Sequence, residues 1–394
     1  MISWTPSSLR GLDRPGSYRP TCSSSSSEPA SESIATAREA VSPSSRCISS
    51  PPLGTTYRST TPFSHGRAVG SNPVHYRHLG RTGLEVSRIG LGCGNFGGVG
   101  SAPEFFGQGE SEGDGFAIMD AAVDAGVNFF DTAASYGGGR SETWIGQWRS
   151  ARSAPILLST KVFWSVQGDP LDQGLSRERI MRELDGSLSR LGAPRVDMYL
   201  THEPDPETPV EETLRALDEL VHAGKVGAIG ASNVDGAQLE DALEISSRHG
   251  LARFDWVQNE YSLLRRNAEV DVLPLCAREG LGFTPFSPLA GGWLTGKYRR
   301  DQPHPPGSRM TQRPEPYADL VSEETFRALQ RFEAAAAERG VEPATLALAW
   351  VLSHPQVTAV VVGPRRPEHL RPAVEALELR LSSQERGELA ELFA

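Results

Sequence analysis

From position 88 onward the chain repeats one pattern, a short apolar run followed by a stretch with helical spacing. The apolar runs fall at 88–91, 128–131, 156–161, 196–200, 226–230, 256–258, 282–285 and 358–362. Helical spacing occupies 114–125, 141–148, 177–191, 210–223, 235–248 and 270–279. After a longer insertion it returns at 323–339, 343–353 and 368–377, and a last helix runs from 383 to the end. Apolar strands separated by amphipathic helices pair in parallel and need cover on both faces. Eight such strands predict an α/β fold, a single (β/α)8 TIM barrel, over an open sheet. Ahead of it, 77–86 reads as a hairpin with Arg81-Thr82-Gly83 at its turn.

Residues 1–73 are of different composition. They hold 19 Ser and 9 Pro, with seven Arg, no Lys and four acidic residues. Such a segment buries too little apolar surface to offset chain entropy, so a disordered leader is expected there. Its Arg- and Ser-rich, acid-poor character also suits an organelle targeting segment, and a start codon assigned too early would give the same picture. The barrel is expected at 74–394, and deletion of the leader is expected to leave melting temperature and activity unchanged. The whole chain carries a net charge of −10 although the leader is basic, so the barrel is the acidic part and a general nucleic-acid partner is not expected. No run of 18 apolar residues occurs, so no membrane span is expected. The four cysteines, Cys22, Cys47, Cys93 and Cys276, show no CxxC pairing, which fits a reducing, cytoplasmic setting.

Barrels of this kind carry their chemistry at the C-terminal ends of the strands. The second run ends in Asp131, with Tyr136 in the loop beyond, and the third ends in Lys161. The fourth leads to His202, the fifth to Ser232 and Asn233, the sixth to Gln258, the seventh to Phe286 and Ser287, and the eighth to Gly363, Arg365 and Arg366. Lys161 stands out because only three of the 39 basic residues are Lys. A snorkelling strand-end Lys is the plain reading. The functional one pairs it with Tyr136 and Asp131. An ammonium lowers the pKa of a nearby phenol, and a carboxylate holds that ammonium charged. His202 is placed to hydrogen-bond a carbonyl. Each residue alone is as well explained by packing or turn capping. Together, on three consecutive strand ends, they suit protonation of a carbonyl oxygen as hydride reaches carbon.

These residues resemble the aldo-keto reductase superfamily. The matching blocks are Asn128-Phe129-Phe130-Asp131-Thr132-Ala133 with Tyr136-Gly137, Ser159-Thr160-Lys161, Asp197 through His202, Gly230-Ala231-Ser232-Asn233, Val257 through Ser262, and Phe286 through Tyr298. The likeness spans about residues 75–394. It implies NADPH/NADP+ bound at the C-terminal rim, without a Rossmann domain, and a small-molecule carbonyl substrate. It makes Tyr136 the general acid, Lys161 its tuner, Asp131 the partner of Lys161 and His202 the orienting group. It implies that Ser232, Asn233 and Gln258 meet the carboxamide and that Phe286 stacks on the nicotinamide. It places Ser287, Leu289, Gly291 and Lys297 along the loop holding the pyrophosphate, adds Pro288 and Arg309 to the cofactor-binding residues, and sets Cys93 and Gly94 near the ribose. At the adenosine end the sequence departs from the family. His369 stands where Gln is common, and Pro372 and Ala373 replace the Glu and Asn that contact adenine. Gly363, Arg365 and Arg366 still suit a 2′-phosphate at a helix start.

Rival readings are weaker. Gly92, Gly94 and Gly97 spell GxGxxG, but a loop through Gly113 separates them from the next helix, where a dinucleotide fingerprint needs the helix to open at once. No HxH, HExxH or GxSxG occurs, so metal and serine-hydrolase chemistry are not expected. Some barrels resembling this family bind cofactor but act as channel subunits, so a regulatory or scaffolding role is the alternative. The complete tetrad favours retained catalysis. Substrate choice is expected to lie in the loops 96–113, 163–175 and 299–316, with Trp164 and Trp293 either lining a pocket or packing.

Overall fold

The computed structural model describes residues 74–394, so the expectations for 1–73 lie outside the described residues. Two short strands open it, β1 (Tyr76–His78) and β2 (Glu85–Ser87), paired antiparallel with Tyr76 opposite Ser87. The turn lies at the predicted place, where the Thr82 hydroxyl donates to the Leu79 carbonyl. Gly80 has φ +52°, and a Cβ there would come within 2.3 Å of the Asp255 carbonyl oxygen. Only glycine lets the hairpin lie this close to the barrel floor. Leu79 and Val86 join Phe129, Met198, Leu200 and Trp256 in a buried cluster that closes the N-terminal end of the barrel.

The eight predicted strands are all present. They are β3 (Ile89–Gly92), β4 (Phe129–Asp131), β5 (Leu157–Val162), β6 (Val196–Thr201), β7 (Val226–Ser232), β8 (Phe254–Gln258), β9 (Gly282–Phe283) and β10 (Val360–Val362). They form one parallel sheet in the order β10-β3-β4-β5-β6-β7-β8-β9. The sheet closes on itself: Thr358 N–H donates to the Phe283 carbonyl at 2.8 Å and Val361 N–H to that of Pro285 at 2.9 Å. A closed parallel sheet leaves no strand edge unpaired.

Helices cover the outside: α1 (Glu112–Asp124), α2 (Arg140–Arg152), α3 (Arg177–Leu191), α4 (Val210–His222), α5 (Gly236–His249) and α6 (Val272–Glu279) follow successive strands. Their apolar stripes meet the outward strand side chains. In α4 the stripe is Leu214, Leu217 and Leu220, all buried. The local sequence sets their ends. Ser111 and Asp235 make capping boxes with Asp114 and Gln238, and Gly192 and Gly250 end α3 and α5 in left-handed conformation. The insertion holds the short α7 (Arg309–Gln312), and α8 (Glu323–Glu338), α9 (Pro343–Leu352), α10 (Arg371–Ala376) and α11 (Ser383–Glu391) complete the layer.

Several helices differ from expectation: the stretch 141–148 extends to Arg152, the last helix stops at Glu391, and two others change as follows. The stretch 270–279 starts at Val272, because Asp271 accepts from the Val272 N–H and caps it there. The stretch 368–377 divides into a 3-10 turn, Pro367–Leu370, and α10, since Pro372 removes a backbone donor at the junction. Among the described residues no helix is long and apolar enough to cross a membrane, and no three His, Cys, Asp or Glu side chains are grouped to hold a metal.

Candidate active site

Strand register brings the four predicted residues together. Asp131 ends β4, and Lys161 lies near the end of β5, whose residue Ser159 pairs with Asp131. Side chains two apart on a strand share a face, so Ser159 and Lys161 both point inward. The Lys161 ammonium donates to Asp131 Oδ2 at 2.6 Å, to the Thr132 carbonyl at 2.9 Å and to the Tyr136 hydroxyl at 3.3 Å. The other carboxylate oxygen, Asp131 Oδ1, accepts from Ser159 Oγ at 3.1 Å and from Gln258 Nε2 at 3.0 Å. The ion pair is almost wholly withdrawn from solvent, with side-chain exposure of 1% and 4%. His202 follows β6, and its Nε2 lies 3.5 Å from the Tyr136 hydroxyl, the two rings edge to face.

Electrostatics follow from this packing. Burial opposes the Lys161 charge, but Asp131 and Tyr136 outweigh it and its pKa is raised. Lys161 is therefore a fixed cation. Burial, then Lys161, drives the His202 pKa well below its ordinary value, so the imidazole is neutral at pH 7. Its Nδ1 is buried without a hydrogen-bond partner. The phenol departs from expectation. Burial raises the Tyr136 pKa, Lys161 lowers it and Asp131 raises it again, and the net direction is upward. Burial of the phenol is the largest influence, and Asp131 offsets part of the pull of Lys161.

The remaining predicted residues line the same rim. Ser232 and Gln258 are buried, and Phe286 is half-buried at the start of the loop after β9. Gln258 already holds Asp131 through its nitrogen. Asn233, left-handed at φ +58°, donates through Nδ2 to the His202 carbonyl at 3.0 Å and to Glu203 Oε1 at 2.9 Å. Both partners are acceptors, which fixes the orientation of the amide. Gly94 faces the Tyr136 ring, where a Cβ would make ordinary contact at 3.6 Å, and Cys93 is buried with its thiol pKa raised well up, first by burial. Trp293 packs inward against Tyr298 and Phe326, while Trp164 is half-buried against Phe163.

The loop after β9 carries left-handed backbone at Ser287, Ala290, Gly291 and Gly292. Such turns aim successive N–H groups into an anion-binding concavity. Pro288 is buried, Leu289 half-buried, and Tyr317 of the insertion rests on Gly291, with its hydroxyl 3.2 Å from Ser287 Oγ. Basic groups collect beside this loop. Lys297 has no carboxylate partner among the described residues, and neither does Arg309, which donates to Asn95 Oδ1 at 3.2 Å. Desolvation and the nearby guanidinium groups of Arg365 and Arg309 lower the Lys297 pKa. The Arg309 pKa is lowered chiefly by burial. Cations crowded without counter-charge fit a polyanionic ligand such as a dinucleotide pyrophosphate. Gly363, Arg366 and His369 are exposed nearby. Arg365 is engaged: its Nε meets Glu110 Oε1 at 2.5 Å and its Nη1 donates to the Gly307 carbonyl.

The family model for the aldo/keto reductase family matches residues 88–394. The chain belongs to the aldo/keto reductase family. It is 38% identical to an uncharacterized oxidoreductase, YrpG, of Bacillus subtilis, over 81% of this chain and 96% of that protein. It is 37% identical to a probable voltage-gated potassium channel subunit beta of Oryza sativa subsp. japonica, over 78% and 92%. It is 32% identical to the NADH-specific methylglyoxal reductase of Escherichia coli, over 77% and 94%. Membership makes the chain an oxidoreductase of the kind that uses a nicotinamide cofactor on a small molecule.

Three further groups complete the rim without having been expected there. Thr132 serves Lys161 through its backbone carbonyl, which any residue supplies, so no side-chain signal marks it. Ser159 was detectable from its two-residue spacing to Lys161. Glu110 lies in the loop that runs through Gly113, yet it is buried and bridges to Arg365.

Proposed function

We propose that this protein reduces aldehydes, and ketones less readily, with NADPH, and that Tyr136 is the general acid. The observation that carries the reading is the contact of the Tyr136 hydroxyl with both Lys161 and His202, at 3.3 and 3.5 Å. When bound, the nicotinamide supplies hydride to the carbonyl carbon. The chain's own groups manage the oxygen. His202, neutral, presents a ring N–H to the carbonyl oxygen and polarises it without a competing charge. Tyr136 gives its proton to that oxygen as negative charge develops there. Lys161 stabilises the phenolate left behind, and Asp131 keeps Lys161 in register. Ser232, Asn233 and Gln258 would orient the carboxamide, Phe286 would lie on the ring face, and Cys93 and Gly94 would border the ribose. The left-handed loop with Ser287, Pro288, Leu289 and Gly291, together with Lys297 and Arg309, would hold the pyrophosphate. Gly363, Arg365, Arg366 and His369 would meet the adenosine end, where the basic groups favour the 2′-phosphate.

The substrate side is apolar. The Phe106 ring stands 3.1 Å from where a Gly138 Cβ would be, and Pro103 stands 2.6 Å from a Gly168 Cβ, so the loops after β3 and β5 close together beside the Tyr136 turn. The Phe106 ring in these loops suits small aromatic or aliphatic carbonyls. The test is NADPH consumption with a reactive aromatic aldehyde, wild type beside Tyr136→Phe. Loss of a general acid costs on the order of 10²–10⁴ in kcat, and a drop of that size with unchanged cofactor affinity is expected. Equal rates would show that another group protonates the oxygen. Tight cofactor binding with no turnover across a broad carbonyl panel would favour a cofactor-sensing regulatory role.

A further inference from the structure

We propose that Glu110 is a cofactor-discriminating residue: by holding Arg365 in an ion pair with its buried carboxylate, it withdraws that cation from the adenosine 2′-phosphate and leaves NADH usable beside NADPH. The inference rests on the cofactor reading above and concerns its degree of selectivity. Glu110 is fixed by its own backbone. Its N–H donates to the Asn95 carbonyl at 3.1 Å and its carbonyl accepts from Gly97 at 3.3 Å, so the loop after β3 presents this side chain to the loop after β10. The carboxylate is 4% exposed, against 37% for Arg365. One carboxylate oxygen takes the guanidinium and the other, Oε2, is buried with no donor at all. A carboxylate with one bare oxygen keeps most of its negative field. Its only cation among the described residues is Arg365, which also donates to the Gly307 carbonyl and to Gln312 Oε1 at 3.3 Å.

A dianionic phosphate approaching Arg365 therefore meets a neutralised guanidinium with fixed negative charge behind it. A ribose hydroxyl in the same place carries no charge and is indifferent to that field. Lys297, Arg309 and the exposed Arg366 remain to attract the phosphate, so NADPH still binds, with its advantage reduced. A like charge held within reach of an anion acts as a repulsive element in specificity.

The experiment is equilibrium binding by tryptophan-fluorescence quenching or calorimetry, with NADPH, NADH and 2′-phospho-AMP as probes. Glu110→Gln keeps the acceptor that Arg365 uses and removes the charge. It is expected to tighten NADPH and 2′-phospho-AMP by roughly tenfold and to leave NADH within about twofold. A second arm does not depend on that variant folding. In the wild-type background Arg365→Gln is expected to weaken NADPH by less than about threefold and Arg366→Gln by more. Equal shifts for NADPH and NADH in Glu110→Gln, no shift in either, or a larger loss in Arg365→Gln than in Arg366→Gln would each overturn the inference alone. Failure of the wild type to bind any of the three probes would overturn the cofactor reading and the inference with it.

Discussion

Two carboxylate–cation pairs of nearly equal length stand at the same rim of the barrel, and their surroundings make them opposite in character. Asp131–Lys161 is 2.6 Å long and Glu110–Arg365 is 2.5 Å. In the first, both carboxylate oxygens are occupied, by Lys161, Ser159 and Gln258, and the ammonium has two further acceptors in Thr132 and Tyr136. In the second, one carboxylate oxygen has no donor and the guanidinium reaches solvent. The difference shows that distance alone does not measure an ion pair. A buried charge is secure only when every lone pair and every N–H around it has a partner. The complete pair has every acceptor filled, and the incomplete one joins two loops with one carboxylate oxygen left bare.

The largest effect expected from this contrast comes from cutting the complete pair. Lys161→Met leaves the Asp131 carboxylate buried with two neutral donors and no cation. Removal of one partner of such a pair costs about 3–5 kcal/mol. Urea denaturation followed by circular dichroism should show it, together with near-total loss of carbonyl reduction. A variant as stable as wild type would mean that Ser159 and Gln258 carry the carboxylate unaided, and that the pair is less tightly built than its geometry indicates.

A smaller step sharpens the same comparison. Ser159→Ala removes one of the two neutral donors to Asp131 Oδ1 and leaves Gln258 in place. A single hydrogen bond contributes about 1 kcal/mol net, and a loss near that size is expected in the same denaturation experiment. A loss as large as that of Lys161→Met would make Ser159 an obligatory member of the network.

The two pairs also differ in how far the sequence reveals them. Asp131 and Lys161 end short apolar runs on neighbouring strands, where the two together are harder to explain than either alone, and strand period places Ser159 on the same face. Tyr136 and His202 follow the same logic one loop further on. The barrel itself was legible because eight apolar runs alternate with stretches of helical spacing; the Ser111-Asp114 cap played no part in that, and the first helix starts at Glu112 rather than 114. Arg365 was legible as a charge but not as an engaged one. Its partner lies 255 positions away in the chain, in a loop whose path is set by backbone contacts at Asn95 and Gly97 that leave no side-chain pattern. For the same reason the upward shift of the Tyr136 pKa was not foreseen: it comes first from burial of the phenol, which outweighs the pull of Lys161, and only the assembled site shows that burial.

The smallest effect concerns the stability contributed by the incomplete pair. Burial raises the Glu110 pKa above its ordinary 4.5, and Arg365, which pulls it down, does not outweigh that. The folded state therefore holds the Glu110 proton more tightly than the unfolded chain does. As pH rises above 4.5 the unfolded state sheds that proton first, so the contribution of this group to stability is fullest in acid and is lost as pH climbs through the folded-state pKa. Glu110→Gln has no such proton to lose. Relative to wild type, the variant should gain stability as pH rises above 4.5. A gain of less than about 1 kcal/mol corresponds to a Tm difference of at most about 3 °C in a domain of this size. Paired melts at pH 5 and pH 8 would read it. A Tm for the variant several degrees below wild type at pH 8 would show that the carboxylate is a net stabilising partner of Arg365. The two pairs would then differ in exposure alone, and Glu110 would be an anchor for the loop after β3 before anything else.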